Sequence, residues 1–512
     1  MTKKFVIAVL FGTFISLSLI FIMKKGQAMP KFIFPQPTGK YAVGTKLFEL
    51  SDPTRNDPET NKPRELVVQV WYPSSLLTEL RRTSPLDSKT ENQTAPYAYE
   101  AREWYKKAFA QQGVAAEKLQ LLDGIRTHAI SDAPVCNQNA PYPVVIFAHG
   151  YSAPLGSYSF FCEEIASHGY VVAMVMHTYI TSMIRFADGR EIVATRNAGV
   201  CTVIEECFAD IEFMLNQAMA GAFVPLSSVC DFKNIGMVGH SLGGIMTAQT
   251  CRRDARIKAG INLDAPLWGI NATKPFHKPF LFIRTSNFYA DMSGVLELQK
   301  DLLQAVGVTR DNFNGSIEQF CRENGKDTMQ IVVEGVNHIT FIDVSIVNEF
   351  FEKIFGKSGD TSISNAKTII EAPEILDIIR KCVLIFFNKY LKGQDAVYPP
   401  QVLHDVDKED FDFYIPDHHS KHKRIEIDPA ILNSYVGQYQ FGEVVLTIKK
   451  DGDVLWVQVT NQPAYPIYPE SETKFFYTVA DRQMSFVKDK NGKTVQLILH
   501  QVGTDQVAEK IN

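Results

Sequence analysis

The chain has 512 residues, 45% apolar and 21% charged, which is too long for one ordinary domain and apolar enough to bury large cores. Its net charge is -5, from 52 Lys and Arg against 57 Asp and Glu with no long basic run, so electrostatic attraction to nucleic acid has no visible source. A nucleic-acid role is not expected; two domains are.

In chain order the first feature is a positively framed apolar segment. Lys3 and Lys4 precede the uncharged run 5–23, and Lys24 and Lys25 close it. A membrane-spanning helix needs roughly 20 such residues. The same stretch reads as a signal peptide, with Gly26-Gln-Ala28 as small residues at a cleavage site. Residues 1–28 are therefore a signal peptide or an anchor, and the lysines on both sides favour the anchor. Either reading places the bulk of the protein outside the cytoplasm, membrane-anchored or secreted/periplasmic. Eight cysteines lie scattered with no CxxC and no Cys/His spacing suited to zinc, so neither metal nor cofactor is expected.

Residues 40–75 read as an antiparallel opening. The run 65–71 is rich in strand formers and 52–64 reads as a polar turn. Residues 97–122 read as a helix, on which Tyr97, Ala101, Trp104, Tyr105 and Ala108 form one stripe, facing the core or, alternatively, touching lipid. From Tyr142 short continuous apolar runs at 144–148, 171–176, 235–238, 257–263, 279–283 and 329–333 alternate with longer amphipathic stretches. Strands buried on both faces read this way, so the fold class is α/β, a doubly wound and mostly parallel sheet within a catalytic domain over 40–393. The segment 375–391 is a closing helix with Gly393 as its C-cap. Residues 394–424 read as a linker, whose Asp417, His418, His419 and His422 are taken as solvated rather than metal-binding. From 425 to 512 the pattern turns to period-two alternation with turns at Asp451-Gly452 and Asn491-Gly492. That indicates a small antiparallel β-barrel or sandwich as the second domain.

The chemistry concentrates at Gly239-His240-Ser241-Leu242-Gly243-Gly244, between the run 235–238 and a helix-like stretch. A nucleophile on a sharp strand-to-helix turn needs small residues two before and two after it, because the backbone there approaches its neighbours closely. Ser241 is the candidate nucleophile. A serine hydroxyl needs a base, and the base needs a carboxylate to fix its tautomer. His338, in the loop after 329–333, is the candidate base. Two carboxylates compete: Asp264, immediately at a strand end, and Asp291, eight residues after Ile283. The fixed backbone direction at a strand end favours Asp264. The oxyanion donors are expected from the backbone of Leu242 and of Tyr151, with Gly150 permitting the tight turn after 144–148.

These residues resemble the platelet-activating-factor acetylhydrolase family, also called lipoprotein-associated phospholipase, over about residues 40–392. The likeness rests on Tyr142-Pro-Val-Val-Ile-Phe-Ala-His-Gly-Tyr151, Ser167-His-Gly-Tyr-Val-Val-Ala, Gly239-His-Ser-Leu-Gly-Gly, Leu263-Asp-Ala and the histidine loop. The resemblance implies a calcium-independent serine esterase of the α/β-hydrolase fold that removes short or oxidised acyl groups from phospholipids; the N-terminal apolar segment adds the expectation of a membrane or lipid surface as partner. It also implies Asp264 as the acid. Leu242 stands where vertebrate members carry Phe, and Pro266-Leu267 displaces the nearby tryptophan to Trp268, a possible lining of the acyl pocket. A general carboxylesterase or cutinase-like lipase would use the same triad. The C-terminal piece resembles the β-domain appended to some bacterial β-lactamase-like hydrolases, through Ile427-Asp-Pro-Ala-Ile-Leu and Tyr435-Val-Gly-Gln-Tyr.

Overall fold

A computed structural model of the chain describes residues 32–57, 59–75, 94–96, 99–111, 114–194, 200–267, 274–285, 313–325, 327–333, 336–343, 345–347, 350, 372–395, 411–414, 425, 427–442, 444–452, 454–459, 464–477, 483–501 and 504–511. The apolar segment 5–23, Trp268, Asp291 and the histidines at 418, 419 and 422 lie outside them. Among the described residues no helix is long and apolar enough to cross a membrane, and no group of three or more His, Cys, Asp or Glu is arranged to hold a metal ion.

The chain opens with β1 (Phe32–Ile33) and a long hairpin, β2 (Ala42–Asn56) against β3 (Pro63–Ser74). The polar stretch 52–64 is mostly not a turn. Asp52 and Arg64 are paired across the hairpin, and the connection is confined to 57–62. Charge is tolerated there because it is matched: buried Asp52 accepts from Thr54 and Arg55, and buried Arg64 grips Asp210 through Nε and Nη2, each at 2.8 Å. After β4 (Thr94–Pro96), the expected helix is broken into α1 (Tyr99–Gln111), a single turn at Ala116–Leu119 and a 3-10 turn at Gln120–Gly124. The intervening sequence contains Gly113, a poor helix former. Tyr105 stacks on Phe109 at 6.3 Å and packs against the core, so that position of the stripe faces inward. The side chain of Trp104 lies outside the described residues.

Then follow β5 (Ile125–Ser131), β6 (Tyr142–Ala148), α2 (Ser159–Ser167), β7 (Val171–Met176), the hairpin β8 (Met183–Arg185) and β9 (Glu191–Val193), and α3 (Val200–Met219). Next come β10 (Cys230–His240), α4 (Leu242–Arg253), β11 (Ile257–Leu263), β12 (Phe280–Thr285), α5 (Phe313–Asn324), β13 (Thr328–Val333), α6 (Ala372–Lys392) and β14 (Phe411–Tyr414). The sheet order is β1-β5-β2-β3-β7-β6-β10-β11-β12-β13-β14, with β4 paired to β5. The six runs read from the sequence are its parallel centre, β7-β6-β10-β11-β12-β13. They are apolar without interruption because each face has its own core. In β6, Val145 and Phe147 join one cluster with α2 and α6, while Val144 and Ile146 join the other with α3 and α4. Gly393, at φ 66°, ends α6 in the left-handed conformation that glycine adopts without strain. Within the stretch read as a linker, β14 pairs antiparallel with β13 and adds an edge strand to the sheet.

The chain runs from β6 outward to β7 and then returns to the other side of β6 as β10. Such a reversal opens a crevice at the carboxyl ends of the two strands, where ligands of open α/β sheets bind. His149-Gly150-Tyr151 and Ser241 follow those two strand ends.

The C-terminal region begins with α7 (Pro429–Tyr435), capped by the Asp428 side chain on Ala430 N at 2.8 Å. Eight antiparallel strands follow: β15 (Gly437–Phe441), β16 (Val444–Asp451), β17 (Val454–Val459), β18 (Ala464–Pro469), β19 (Lys474–Tyr477), β20 (Gln483–Lys488), β21 (Thr494–Gln501) and β22 (Thr504–Lys510). Strand β22 pairs with β15, so the sheet closes into a barrel. Its interior is filled: Tyr435 stacks on Phe486 at 4.1 Å, with Tyr439, Leu455, Phe475 and Met484 buried around them.

Candidate active site

Ser241 stands between β10 and α4 with φ 56° and ψ -122°, a conformation that costs a non-glycine residue of order 1–3 kcal/mol. The surroundings impose it. Ser241 N–H donates to Leu263 O at 3.0 Å, while Gly244 N–H returns to Ser241 O at 2.9 Å. The glycines are there for space. A Cβ on Gly239 would lie 2.1 Å from Gly243 O, one on Gly243 would lie 1.9 Å from Ala148 O, and one on Gly244 would lie 2.7 Å from Ala265 Cβ. Leu242 is the first residue of α4, so its N–H belongs to the helix end where intrahelical acceptors are missing.

Asp264 follows β11 directly and His338 opens a 3-10 turn (His338–Phe341) beyond β13. His338 Nδ1 meets Asp264 Oδ2 at 2.7 Å, and both side chains are buried. The other carboxylate oxygen, Oδ1, accepts Thr285 N at 2.7 Å and Thr285 Oγ1 at 3.1 Å. With Oδ1 so engaged, Oδ2 is aimed at the imidazole, and Nδ1 carries the proton of that contact. The histidine turn is held by Asn337, whose Oδ1 accepts from Ile339 N and Thr340 N at 3.1 Å each, while Thr340 Oγ1 accepts Asn337 N–H in return. The His338 ring lies 4.5 Å, centroid to centroid, from that of His240, the residue before Ser241. Sequence-distant Asp264 and His338 are thus joined, and the base loop touches the serine turn.

The loop after β6 supplies the third part. Gly150 approaches the serine so closely that a Cβ there would lie 3.3 Å from Ser241 Cβ. Its carbonyl accepts His149 Nδ1–H at 2.8 Å and Ala153 N–H at 3.1 Å. In a trans peptide the N–H points opposite the carbonyl, so these two donors also fix the direction of the Tyr151 N–H. Tyr151 itself is 38% exposed.

His149, the residue before Gly150, was given no role of its own by the sequence reasoning. Burial and the neighbouring His177 push its pKa down to about 3, so the ring is neutral, and its Nε2 takes the hydroxyl proton of Thr181 at 3.0 Å. His177 in turn contacts Asp210 at 3.0 Å. Burial alone would raise Asp210, but hydrogen bonds from Arg64 and His177 hold it below the usual carboxylate range. His-Gly after an apolar strand is the only trace of this arrangement in the sequence; Arg64 and Asp210 are far from it along the chain.

A profile described as platelet-activating factor acetylhydrolase, isoform II, matches residues 27–191 and 205–409. The chain belongs to this family. A second profile, described as a domain of unknown function (DUF3471), matches residues 421–510 of the same acetylhydrolase-family chain, which is the barrel with α7. Similar proteins include a probable 1-alkyl-2-acetylglycerophosphocholine esterase of Arthroderma benhamiae, 28% identical over 46% of this chain and 60% of the relative. Another is a platelet-activating factor acetylhydrolase of Cavia porcellus, 26% identical over 49% of this chain and 58% of the relative. The acetylhydrolase-family chain therefore spans about three-fifths of the length of these curated relatives. Among solved structures it resembles a ferulic acid esterase from Streptomyces cinnamoneus, with a TM-score of 0.54 and 25% identity over 74% of this chain and 98% of that one.

Proposed function

We propose that this protein is a serine ester hydrolase that removes short acyl groups from platelet-activating-factor-like phospholipid esters through an acyl-enzyme. The observation that carries the reading is the buried 2.7 Å contact between His338 and Asp264 beside the strained turn of Ser241. Asp264 holds the proton on Nδ1 and leaves Nε2 as the basic nitrogen. Ser241 Oγ attacks the ester carbonyl carbon as its proton passes to His338 Nε2. The carbonyl oxygen becomes an oxyanion received by the N–H groups of Leu242 and Tyr151. As the carbon–oxygen bond of the ester breaks, His338 returns the proton to the departing alcohol, leaving the acyl group on Ser241. Water then repeats the sequence, giving its proton to His338 and releasing the carboxylic acid with Ser241 restored.

The substrate class rests on the names of the relatives and on Trp268, four residues past Asp264, assigned to close the acyl pocket. Each methylene a pocket accepts is worth about 0.8 kcal/mol, and a closed pocket forfeits that gain. The lysine-framed segment 5–23 supports an exported protein held beside a lipid surface. A second reading, a carboxylesterase for soluble esters, is favoured by the likeness to the ferulic acid esterase, which covers almost all of that enzyme.

The test is kcat/KM over acyl chains of about two to sixteen carbons on matched phospholipids, monomeric and in vesicles, beside a feruloyl ester. Acetyl to butyryl phospholipid in vesicles is expected to lead. A steady rise to palmitoyl would replace this reading with a general lipase, and a lead for the feruloyl ester would replace it with the second reading. Ser241→Ala is expected to lose about 10⁵-fold or more in kcat; near-native turnover would remove the serine mechanism altogether.

A further inference from the structure

We infer that Tyr158 and His240 are positioning residues, forming a buried hydrogen-bonded relay that sets the oxyanion loop and the base loop at fixed places about the nucleophile. The relay has four members. Gly150 N lies 3.0 Å from Tyr158 Oη, Tyr158 Oη lies 2.9 Å from His240 Nδ1, and His240 Nε2 lies 3.1 Å from His338 O. Gly150 precedes one oxyanion donor, His240 adjoins the serine, and His338 is the base, so three separated loops meet in one chain of contacts.

Chemistry fixes the direction of every bond. A backbone carbonyl only accepts, so the proton of the third contact sits on His240 Nε2. The ring is buried and neutral, since burial and the adjacent His338 push its pKa well below the ordinary histidine value. Its Nδ1 is therefore a bare acceptor, and the single hydroxyl proton of Tyr158 goes there. The lone pairs of Tyr158 are then left to receive Gly150 N–H. No member can be reversed without leaving a buried donor or acceptor unmatched.

Packing holds both side chains in place. Tyr158 is 1% exposed and packs on Phe147 of β6 at 4.8 Å, while His240 is flanked by Phe341 at 5.6 Å with the rings 23° apart. The Tyr158 segment is also tied to the histidine loop by a second route. Asp343 N–H donates to Ser157 O at 2.8 Å, and the Asp343 carboxylate receives Phe160 N–H at 3.3 Å. The two loops thus approach the serine as one connected unit. A displacement of about 1 Å at a reacting group can cost about 10²-fold in rate, which is the scale on which such a unit acts.

This inference rests on the serine-esterase reading, and the experiment separates the two. Tyr158→Phe, His240→Gln and the double variant are compared on a short soluble ester, with Ser241→Ala alongside. The readouts are kcat, KM and the inhibition constant of a trifluoromethyl ketone. That ketone adds Ser241 Oγ to its carbonyl carbon, passes the serine proton to His338 and leaves its oxygen as an oxyanion. Tyr158→Phe is expected to lower kcat by about 10- to 100-fold with KM nearly unchanged, and to weaken the ketone by a similar factor. His240→Gln keeps an amide N–H donor for His338 O and removes the ring nitrogen Nδ1 that accepts from Tyr158. Because one relay is broken by either change, the double variant is expected to cost little more than the worse single one. Unchanged kcat and ketone affinity in folded Tyr158→Phe, or fully additive losses, would overturn the relay. Should Tyr158→Phe not fold, His240→Gln with undiminished ketone affinity would do the same. Activity remaining in Ser241→Ala would sink the esterase reading instead.

Discussion

Replacing Asp264 with Asn tests the orientation of the base, and the structure says which way the new side chain must turn. Thr285 presents two donors, N–H at 2.7 Å and Oγ1 at 3.1 Å, to Asp264 Oδ1. In Asp264→Asn the amide oxygen takes that place, because an NH₂ group there would face the Thr285 backbone N–H. The NH₂ group is then turned toward His338 Nδ1, where Oδ2 now sits at 2.7 Å. A donor opposite Nδ1 selects the tautomer with its proton on Nε2, and that nitrogen cannot accept the proton of Ser241. Loss of the correct tautomer costs about 10⁴-fold in kcat, equivalent to about 5.4 kcal/mol of transition-state stabilisation. The fold should survive, since Thr285 keeps its acceptor and the substituted group differs by one atom type. The assay is steady-state hydrolysis of a short soluble ester together with thermal unfolding of both proteins. A loss under about 10-fold in Asp264→Asn, with a large loss in Asp291→Asn, would refute the reasoning and transfer the role to Asp291.

Two further predictions concern stability and organisation. Burial holds the Asp343 carboxyl well above the usual carboxylate range, with Glu163 adding to the effect. A carboxyl raised in the folded state binds its proton more tightly there, so its stabilisation is complete below the unfolded value and is lost as pH rises through the folded one. Asp343→Asn keeps an acceptor for Phe160 N–H and removes that loss. Its melting temperature should therefore gain on the parent as pH rises above the ordinary carboxylate range; a difference that does not change with pH would refute the sign. The neighbours Glu163, Cys162, Tyr105 and Tyr158 are the same in both proteins. Separately, a chain ended at residue 424 keeps β14 on β13 and should hydrolyse a soluble ester within about threefold of the full chain, whereas one ended at 395 uncovers the edge of β13 and should aggregate on heating. A folded but inert chain ended at 424 would give the barrel a part in the chemistry.

The parallel centre of the sheet was legible because strands buried on both faces leave unbroken apolar runs, and Val144 through Ala148 is such a run. The elbow was legible because its glycines answer a steric demand that shows in three letters of sequence. The hairpin ends were not. Asp52 and Arg64 look like turn residues; in the strands Asp52 is matched by its neighbours Thr54 and Arg55, and Arg64 by Asp210, more than 140 positions away. The helix α7 carried a readable signal in Asp428 and Pro429, a cap and a first-turn proline, inside a stretch otherwise dominated by alternation. His149, Tyr158 and His240 were left without roles in the sequence reading, because those roles arise from hydrogen bonds among loops distant in sequence. Strand β14 was hidden in a polar stretch whose pairing depends on an open sheet edge, and an open edge is a property of the fold rather than of four residues.

That last strand has a consequence for the birth of the protein. During synthesis β13 emerges with one side paired to β12 and the other bare, and it stays bare until residues 411–414 leave the ribosome. An unpaired strand edge is the template on which nascent chains join one another. The last piece to seal the hydrolase sheet is thus the stretch that leads straight into the barrel, so arrest or cleavage of a growing chain between 341 and 411 would leave a complete set of Ser241, Asp264 and His338 on a sheet with an adhesive flank.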